Sequence, residues 1–123
     1  MDIHVLRTKI EEFLNDHTDV EKFKIGKTGN WDEREDDYQE DGYHKVIKLC
    51  SGEAKEISDA EITLTKYFRK DSTHKDKCDN QRDGGGSSNA TILYIALKMN
   101  DISIEHLSEF EIYDQYFSYT NNK

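Results

Sequence analysis

The segment Phe23-Lys24-Ile25-Gly26-Lys27-Thr28, followed by Gly29-Asn30-Trp31-Asp32-Glu33-Arg34, decides how the rest of the chain is interpreted. Two lysines bracket a short apolar pair, and a glycine, a hydroxyl side chain and a second glycine follow. Such residues stop and turn an extended segment. The pattern therefore predicts a strand over residues 22–27 that ends near Gly26, a turn, and then a helix that carries Arg34.

The tripeptide Gly26-Lys27-Thr28 also matches the end of a phosphate-binding P-loop. In that motif a first glycine, five positions upstream, lets backbone N–H groups surround the phosphates. The corresponding residue here is Glu21. A glutamate would place a side chain and a negative charge where phosphate oxygens must lie, so the sequence excludes a P-loop.

Residues 53–70 predict a helix whose apolar positions follow a helical period. Glu61 lies on this apolar stripe, four residues after Ile57 and three before Leu64. Burying an unpaired carboxylate is strongly unfavourable. We therefore expect Glu61 to lie at the rim of the buried face, to pair with a lysine, or to bind a metal ion.

Two further segments are rich in β-forming residues. Residues 43–50 alternate without a purely apolar face, which is typical of a strand at or near a sheet edge. Residues 91–99 form the most apolar run of the chain, which predicts a central strand buried on both faces. Between these strands, residues 71–90 predict a long flexible loop. Its basic side chains, Arg82 among them, could contact phosphate.

The remaining segments complete a single domain of 123 residues. Residues 2–16 predict an amphipathic helix that Asp2 caps. A last helix is expected to begin at Asp101 or Ser103. The predicted fold is α/β or α+β, with a small sheet of about three strands flanked by three or four helices.

The chain has a net charge of −9, with 35% charged residues, 11% aromatic residues and no proline. Its aromatic content argues against disorder. An acidic balance opposes nonspecific binding to phosphate backbones. A role in nucleic-acid binding therefore requires a local basic face, a bound cation, or mimicry of nucleic acid.

Residues 31–41 carry seven acidic side chains and one basic side chain, Arg34. One interpretation is a solvated helix held to the core by Trp31 and Tyr38. The other is a surface that mimics a phosphate backbone or binds a basic partner protein.

No apolar run approaches the ~20 residues that span a bilayer, and the N-terminus lacks the pattern of a secretory signal. We therefore expect no membrane association and an intracellular location, cytoplasmic or nuclear.

The order Lys24-Ile25-Gly26-Lys27-Thr28, then Arg34, then an acid on a later helix resembles the GIY-YIG nuclease superfamily. The likeness is to variants with Lys-Ile-Gly-Lys-Thr in place of Tyr-Ile-Gly, and it covers about residues 22–70. It implies a GIY-YIG-like core in which Arg34 faces the scissile phosphate and Glu61 holds Mg²⁺ or Mn²⁺. It also implies that Lys27 and Thr28 position the site.

The chain departs from the family pattern in two places. A helix, rather than a Gly-Ile-Tyr strand, precedes the motif, and Lys24 stands where those nucleases usually have a tyrosine. The segment Leu93-Tyr94-Ile95 is similar to the missing tyrosine-bearing strand. We therefore predict that the strand at 91–99 neighbours the strand at 22–27, with Tyr94 near Lys24. Tyr94, Tyr43 and His44 are the candidate bases.

Two functions follow from these patterns. The first is a metal-dependent endonuclease that hydrolyses phosphodiester bonds in nucleic acid. The alternative is a catalytically inactive acidic protein that occupies the nucleic-acid channel of a basic partner.

Overall fold

The structure, a computed structural model, describes residues 2–32, 42–85, 89–99 and 108–118. Two long helices, α1 (Ile3–Asp16) and α2 (Ala54–Lys70), accompany three strands. The strands are β1 (Val20–Thr28), β2 (Lys45–Ser51) and β3 (Ile92–Met99). A short helix α3 (Glu109–Ile112) continues as one wider, π-helical turn over Tyr113–Phe117.

The three strands form one antiparallel sheet in the order β1-β3-β2. The combination of helices with one antiparallel sheet confirms the predicted small α+β fold. β3 is the central strand and β2 an edge strand, as the sequence predicts. The strand at 91–99 also neighbours the strand that carries the lysine motif, because Gly26 pairs with Tyr94 and Lys24 pairs with Ala96.

One local prediction is wrong. Gly26 does not end its strand, since β1 continues to Thr28 and its glycine lies in the strand interior. Gly26 is also absent from the glycines with positive φ, so no turn requires it. The reason for a glycine is the cross-strand neighbour, because a Cβ atom at this position would overlap the hydroxyl end of Tyr94.

The main core lies between the sheet and the helices. From β3 the side chains of Leu93, Ile95 and Leu97 enter it, and they meet the buried faces of α1 and α2. The opposite face of the sheet carries a smaller cluster of Tyr43, Val46, Tyr94 and Ala96, with Trp31 packed against it. The sheet is thus covered by apolar side chains on both faces.

Both long helices begin and bury residues as their sequences predict. The carboxylate of Asp2 accepts hydrogen bonds from the amides of His4 and Val5 and so caps α1. On α2 the buried positions include Ile57, Leu64 and Phe68. No helix in the described ranges is both long and apolar enough to cross a membrane.

The outer edge of β1 is covered by the segment that the sequence predicts to be a loop. The side-chain amide of Asn80 accepts a hydrogen bond from the Ile25 N–H at 2.9 Å and donates one to the Ile25 carbonyl at 2.7 Å. One residue earlier, the Asp79 amide donates to the Phe23 carbonyl. Unpaired edge groups favour association with other strands, and here the loop pairs them. Beyond these contacts, the edge of β1 borders the cleft described below.

The acidic segment and part of the C-terminal region fall outside the described residues. They include Arg34, residues 33–41, and the predicted caps Asp101 and Ser103. The described C-terminal helix begins later, with Ser108 as its N-cap. The hydroxyl of Tyr116 donates a hydrogen bond to Asp16, which attaches this region to α1.

Candidate functional site

A cleft of ≈370 Å³ lies at the outer edge of β1, where the strand meets α2 and the loop after it. Strand β1 contributes Lys24, Gly26 and Lys27, helix α2 contributes Glu61, and central strand β3 contributes Tyr94. The loop closes the other side with residues Asn80, Gln81, Arg82, Gly84 and Gly85. Three of the residues predicted to form a site, Lys27, Glu61 and Tyr94, therefore lie together.

The two sides of β1 supply different groups to the cleft. Successive side chains of a strand point to opposite faces, so Lys27 points toward α2 whereas Lys24 and Gly26 lie on the Tyr94 side. The backbone groups of Ile25 point away from β3, as their bonds to Asn80 show. In an antiparallel edge strand, the backbone N–H and C=O groups of every second residue point to the same side. The N–H and C=O of Lys27 therefore also point away from β3, toward the cleft.

Lys27 and Glu61 form a buried ion pair. The Lys27 ammonium lies 3.6 Å from the Glu61 Oε1 atom, and the two side chains are only 6% and 7% exposed. The same ammonium donates a hydrogen bond of 2.8 Å to the Ser58 hydroxyl. Glu61 therefore reaches a lysine, one of the three environments that its place on the apolar stripe allows.

The Oε1 atom of Glu61 has no hydrogen-bond partner, and it is the one such buried side-chain atom among the described residues. Burial raises the pKa of this carboxyl, although Lys27, the Gly85 backbone and Arg82 act in the opposite direction. The net rise shows that the loss of solvation outweighs the neighbouring positive charges. An unsatisfied carboxylate oxygen beside a cleft is suited to bind a cation or a proton.

We expect Glu61→Gln to be more stable than the wild type at neutral pH. Because the pKa of Glu61 is higher in the folded protein than its ordinary 4.5, folding favours the protonated form. That contribution is complete below pH 4.5 and is lost as the pH rises through the folded-state pKa. Glutamine keeps the shape of the protonated carboxyl, so its advantage should shrink on acidification. Thermal melting at neutral pH and below pH 4.5 measures this difference.

The exposed Glu12 on α1 supplies the control, because Glu12→Gln removes a carboxylate that is not buried and should not raise the melting temperature at neutral pH. A Glu61→Gln variant that melts below the wild type at neutral pH would mean that the attraction of Lys27 exceeds the cost of burial.

Tyr94 lies across the sheet from Gly26, and its ring fills the space that the missing Cβ leaves. The ring of Trp31 lies against it, with ring centroids 6.3 Å apart. Tyr94 is buried among these neighbours yet lines the cleft. The glycine of the motif thus allows an aromatic hydroxyl to approach the backbone of the edge strand.

Lys24 and Arg82 also line the cleft, and the sequence alone does not predict that they lie in one site. The sequence marks Lys24 only as the residue at the usual tyrosine position, and Arg82 only as one basic residue of a loop. The Arg82 side chain packs near Gly85, which lies at positive φ. With Lys27 they make three basic side chains against one carboxylate among the described cleft residues, although the whole chain is acidic.

Three other residues predicted for the site lie outside the cleft. The Thr28 hydroxyl bonds to the backbone of Asn30 and shapes the turn after β1, and Thr28 does not line the cleft. The Tyr43 hydroxyl donates to Asp79, and the His44 ring accepts from the Met99 amide. Neither candidate base lines the cleft, and Arg34 lies outside the described residues.

In the part of the chain that the structure describes, no three His, Cys, Asp or Glu side chains converge as metal ligands. Among the described residues that line the cleft, Glu61 is the one carboxylate. Mg²⁺ is commonly bound through one or two carboxylates together with water and substrate phosphates. The donor set, a single carboxylate with an unsatisfied oxygen, therefore fits one such ion when a phosphate supplies further oxygens.

Comparisons with models of known protein families, with curated proteins and with solved structures found no match for this chain.

Proposed function

We propose that the protein binds a phosphodiester of nucleic acid in the cleft and hydrolyses it as a GIY-YIG-like, metal-dependent endonuclease. The observation that carries the proposal is the convergence of Lys27, Glu61 and Tyr94 in one cleft. These residues come from three elements that are distant in sequence, and the sequence pattern predicts each of them as a site residue. Two further basic side chains, Lys24 and Arg82, support an anionic substrate.

The basic residues of the cleft bind and orient the phosphate. Lys24 and Arg82 approach it from opposite walls, and the Lys27 backbone N–H offers a donor at the strand edge. Positive groups fixed in a poorly solvated site stabilise charge that develops during reaction. We propose the same role, stabilising charge on the phosphate, for Arg34, which lies outside the described residues.

Tyr94 and Glu61 act on the reacting atoms. The Tyr94 hydroxyl oxygen can accept a hydrogen bond from the attacking water and so orient it toward phosphorus. Glu61 would hold Mg²⁺ or Mn²⁺, which stabilises negative charge on the phosphate and on the leaving oxygen. Lys27 lowers the pKa of Glu61 against the larger effect of burial, and it thereby favours the ionised carboxylate that a cation requires.

The test is a cleavage assay on mixed DNA and RNA with Mg²⁺ or Mn²⁺. We expect Glu61→Gln to lower the rate roughly 100-fold or more, the scale on which loss of one stabilising group acts. The same variant should lose the rise in melting temperature that the cation causes in the wild type. Since Glu61→Gln is expected to be the more stable protein, unfolding cannot account for this loss.

The exposed Lys55 on α2 provides the matched control, because Lys55→Gln removes a charge outside the cleft and should cleave normally. Cleavage that is equal in the wild type, Glu61→Gln and Arg34→Ala would overturn the mechanism.

A second candidate is the non-catalytic interaction protein, and the Lys27–Glu61 ion pair is the observation that favours it. The ammonium already neutralises the carboxylate that a metal ion would need. In this case the protein would show neither cleavage nor a cation-dependent melting temperature. It would instead bind a basic, nucleic-acid-binding protein inside the cell through its acidic segment.

A further inference from the structure

A second cavity, of ≈340 Å³, lies beside β2 at the other edge of the sheet. Val46, Ile47 and Lys48 form its floor, and Trp31, Phe110, Tyr113 and Glu109 form its walls. We call it the aromatic groove. Phe110 is 76% exposed, although an exposed phenylalanine loses the benefit of burial. With Trp31 and Tyr113 it forms one contiguous aromatic patch, and such a patch indicates a contact surface.

The groove also carries positive charge next to its rings. The Lys48 ammonium lies 5.2 Å from the centroid of the Trp31 ring. Lys45 on the same strand lies 3.9 Å from Glu109, so that carboxylate is already paired. Flat aromatic rings beside a lysine form the combination that binds single-stranded nucleic acid, because bases stack on the rings and cations attract the phosphates.

The aromatic groove and the cleft adjoin one another across the sheet. Lys48 pairs with Tyr94 in the register of β2 and β3, and Tyr94 pairs with Gly26 in the register of β3 and β1. Adjacent strands lie roughly 5 Å apart, so the two edges are separated by ~10 Å. The ring contact between Trp31 and Tyr94 joins the wall of the groove to the wall of the cleft. A short oligonucleotide can span this distance.

We propose that the aromatic groove stacks an unpaired base of the nucleic-acid strand whose phosphate occupies the cleft. The inference rests on the proposed function and gives it a substrate class, a strand with at least one accessible base. A fully paired duplex keeps its bases inside the helix and cannot supply one. An apolar peptide side chain would fill the groove, but it would make no use of Lys48.

Trp31 is the only tryptophan of the chain, so its fluorescence reports on the groove. The experiment compares a short oligothymidylate with an oligomer that has the same phosphates and no bases. Divalent cations are left out to prevent cleavage. Quenching of Trp31 reports stacking, and the anisotropy of an end-labelled oligomer reports affinity.

We expect only the base-bearing oligomer to quench Trp31. Phe110→Ala should weaken its binding by roughly 5- to 100-fold, the effect of one stacked base, and should leave the abasic oligomer unaffected. The half-exposed Val5 on α1 is the matched control, because Val5→Ala also truncates an apolar surface side chain and should change neither affinity.

Equal quenching and equal affinity for the two oligomers would overturn the inference, as expected if the groove receives an apolar side chain of a protein instead. If the protein nevertheless cleaves nucleic acid, the proposed function stands without base stacking in the aromatic groove. If only the base-bearing oligomer quenches, and Lys24→Gln and Arg82→Gln change neither affinity, the groove binds bases and the proposed function fails. Binding of neither oligomer would contradict both.

Discussion

Lys27→Ala is expected to lower the free energy of unfolding by about 3 kcal/mol at neutral pH, because it leaves the buried Glu61 without a positive partner. The two side chains of the pair are almost completely enclosed. The Oε1 atom of Glu61 has no hydrogen bond to replace the lost attraction. Part of the cost is avoided when Glu61 takes up a proton, so the loss should be larger at higher pH.

Removing Lys27 and removing Glu61 should have different effects on stability. Without Glu61, Lys27 keeps the Ser58 hydroxyl as a hydrogen-bond acceptor, and a glutamine at position 61 offers a second acceptor. Without Lys27, the carboxylate keeps only weaker neighbours. The double variant Lys27→Met with Glu61→Gln should therefore recover most of the stability that Lys27→Ala loses, since apolar or neutral replacements of a whole buried pair are often tolerated.

Chemical denaturation of Lys27→Met, Glu61→Gln and the double variant measures this coupling. The exposed pair of Lys55 and Asp59 on the same helix gives the control. Lys55 is 91% exposed, so Lys55→Ala should cost less than about 1 kcal/mol. Surface substitutions usually change the free energy of unfolding by less than about 0.5 kcal/mol. If Lys27→Ala changes it by no more than that, the pair does not stabilise the fold.

The sequence predicts the elements well because their signals are local. The apolar run at residues 91–99 lies on the central strand, and the spacing of Ile57, Leu64 and Phe68 marks the buried face of α2. The same periodicity shows that Glu61 is a charged residue on the buried face of α2. Its lysine partner could not be predicted from periodicity, because the contact depends on how β1 and α2 pack together.

The site is less predictable than the fold because its parts meet through tertiary contacts. The sequence predicts that the strand of Tyr94 neighbours the strand of Lys24, and the two strands are paired. Arg82 enters the cleft only because Asn80 attaches the loop to the edge of β1. Thr28 belongs to the same motif yet turns away, since its hydroxyl is used by the following turn.

Gly26 is the clearest case of a residue whose local signal misleads. A glycine between Ile25 and Lys27 predicts a turn from the sequence alone, whereas its role depends on a tyrosine of another strand. Its side-chain hydrogen occupies the only space that Tyr94 leaves.

Gly26→Ala is expected to cost about 1–3 kcal/mol of stability and to deform the cleft, because the added methyl group overlaps the buried end of Tyr94. The Tyr94 ring cannot swing aside freely, since Trp31 packs against it. β1 must then move away from β3, which would strain the bonds between Ile25 and Asn80. Gly29→Ala is the matched control, because its added methyl group meets only ordinary contacts.

Tyr94→Leu should rescue Gly26→Ala, since a shorter side chain leaves room for the methyl group. The double variant is therefore expected to be more stable than the sum of the two single changes predicts, as is usual for residues in contact. Denaturation of the four proteins measures the difference. Strict additivity would mean that Gly26 and Tyr94 do not touch, and the account of the motif glycine would then be wrong. A coupling of the expected sign would explain why this edge strand carries a glycine inside a run of β-forming residues.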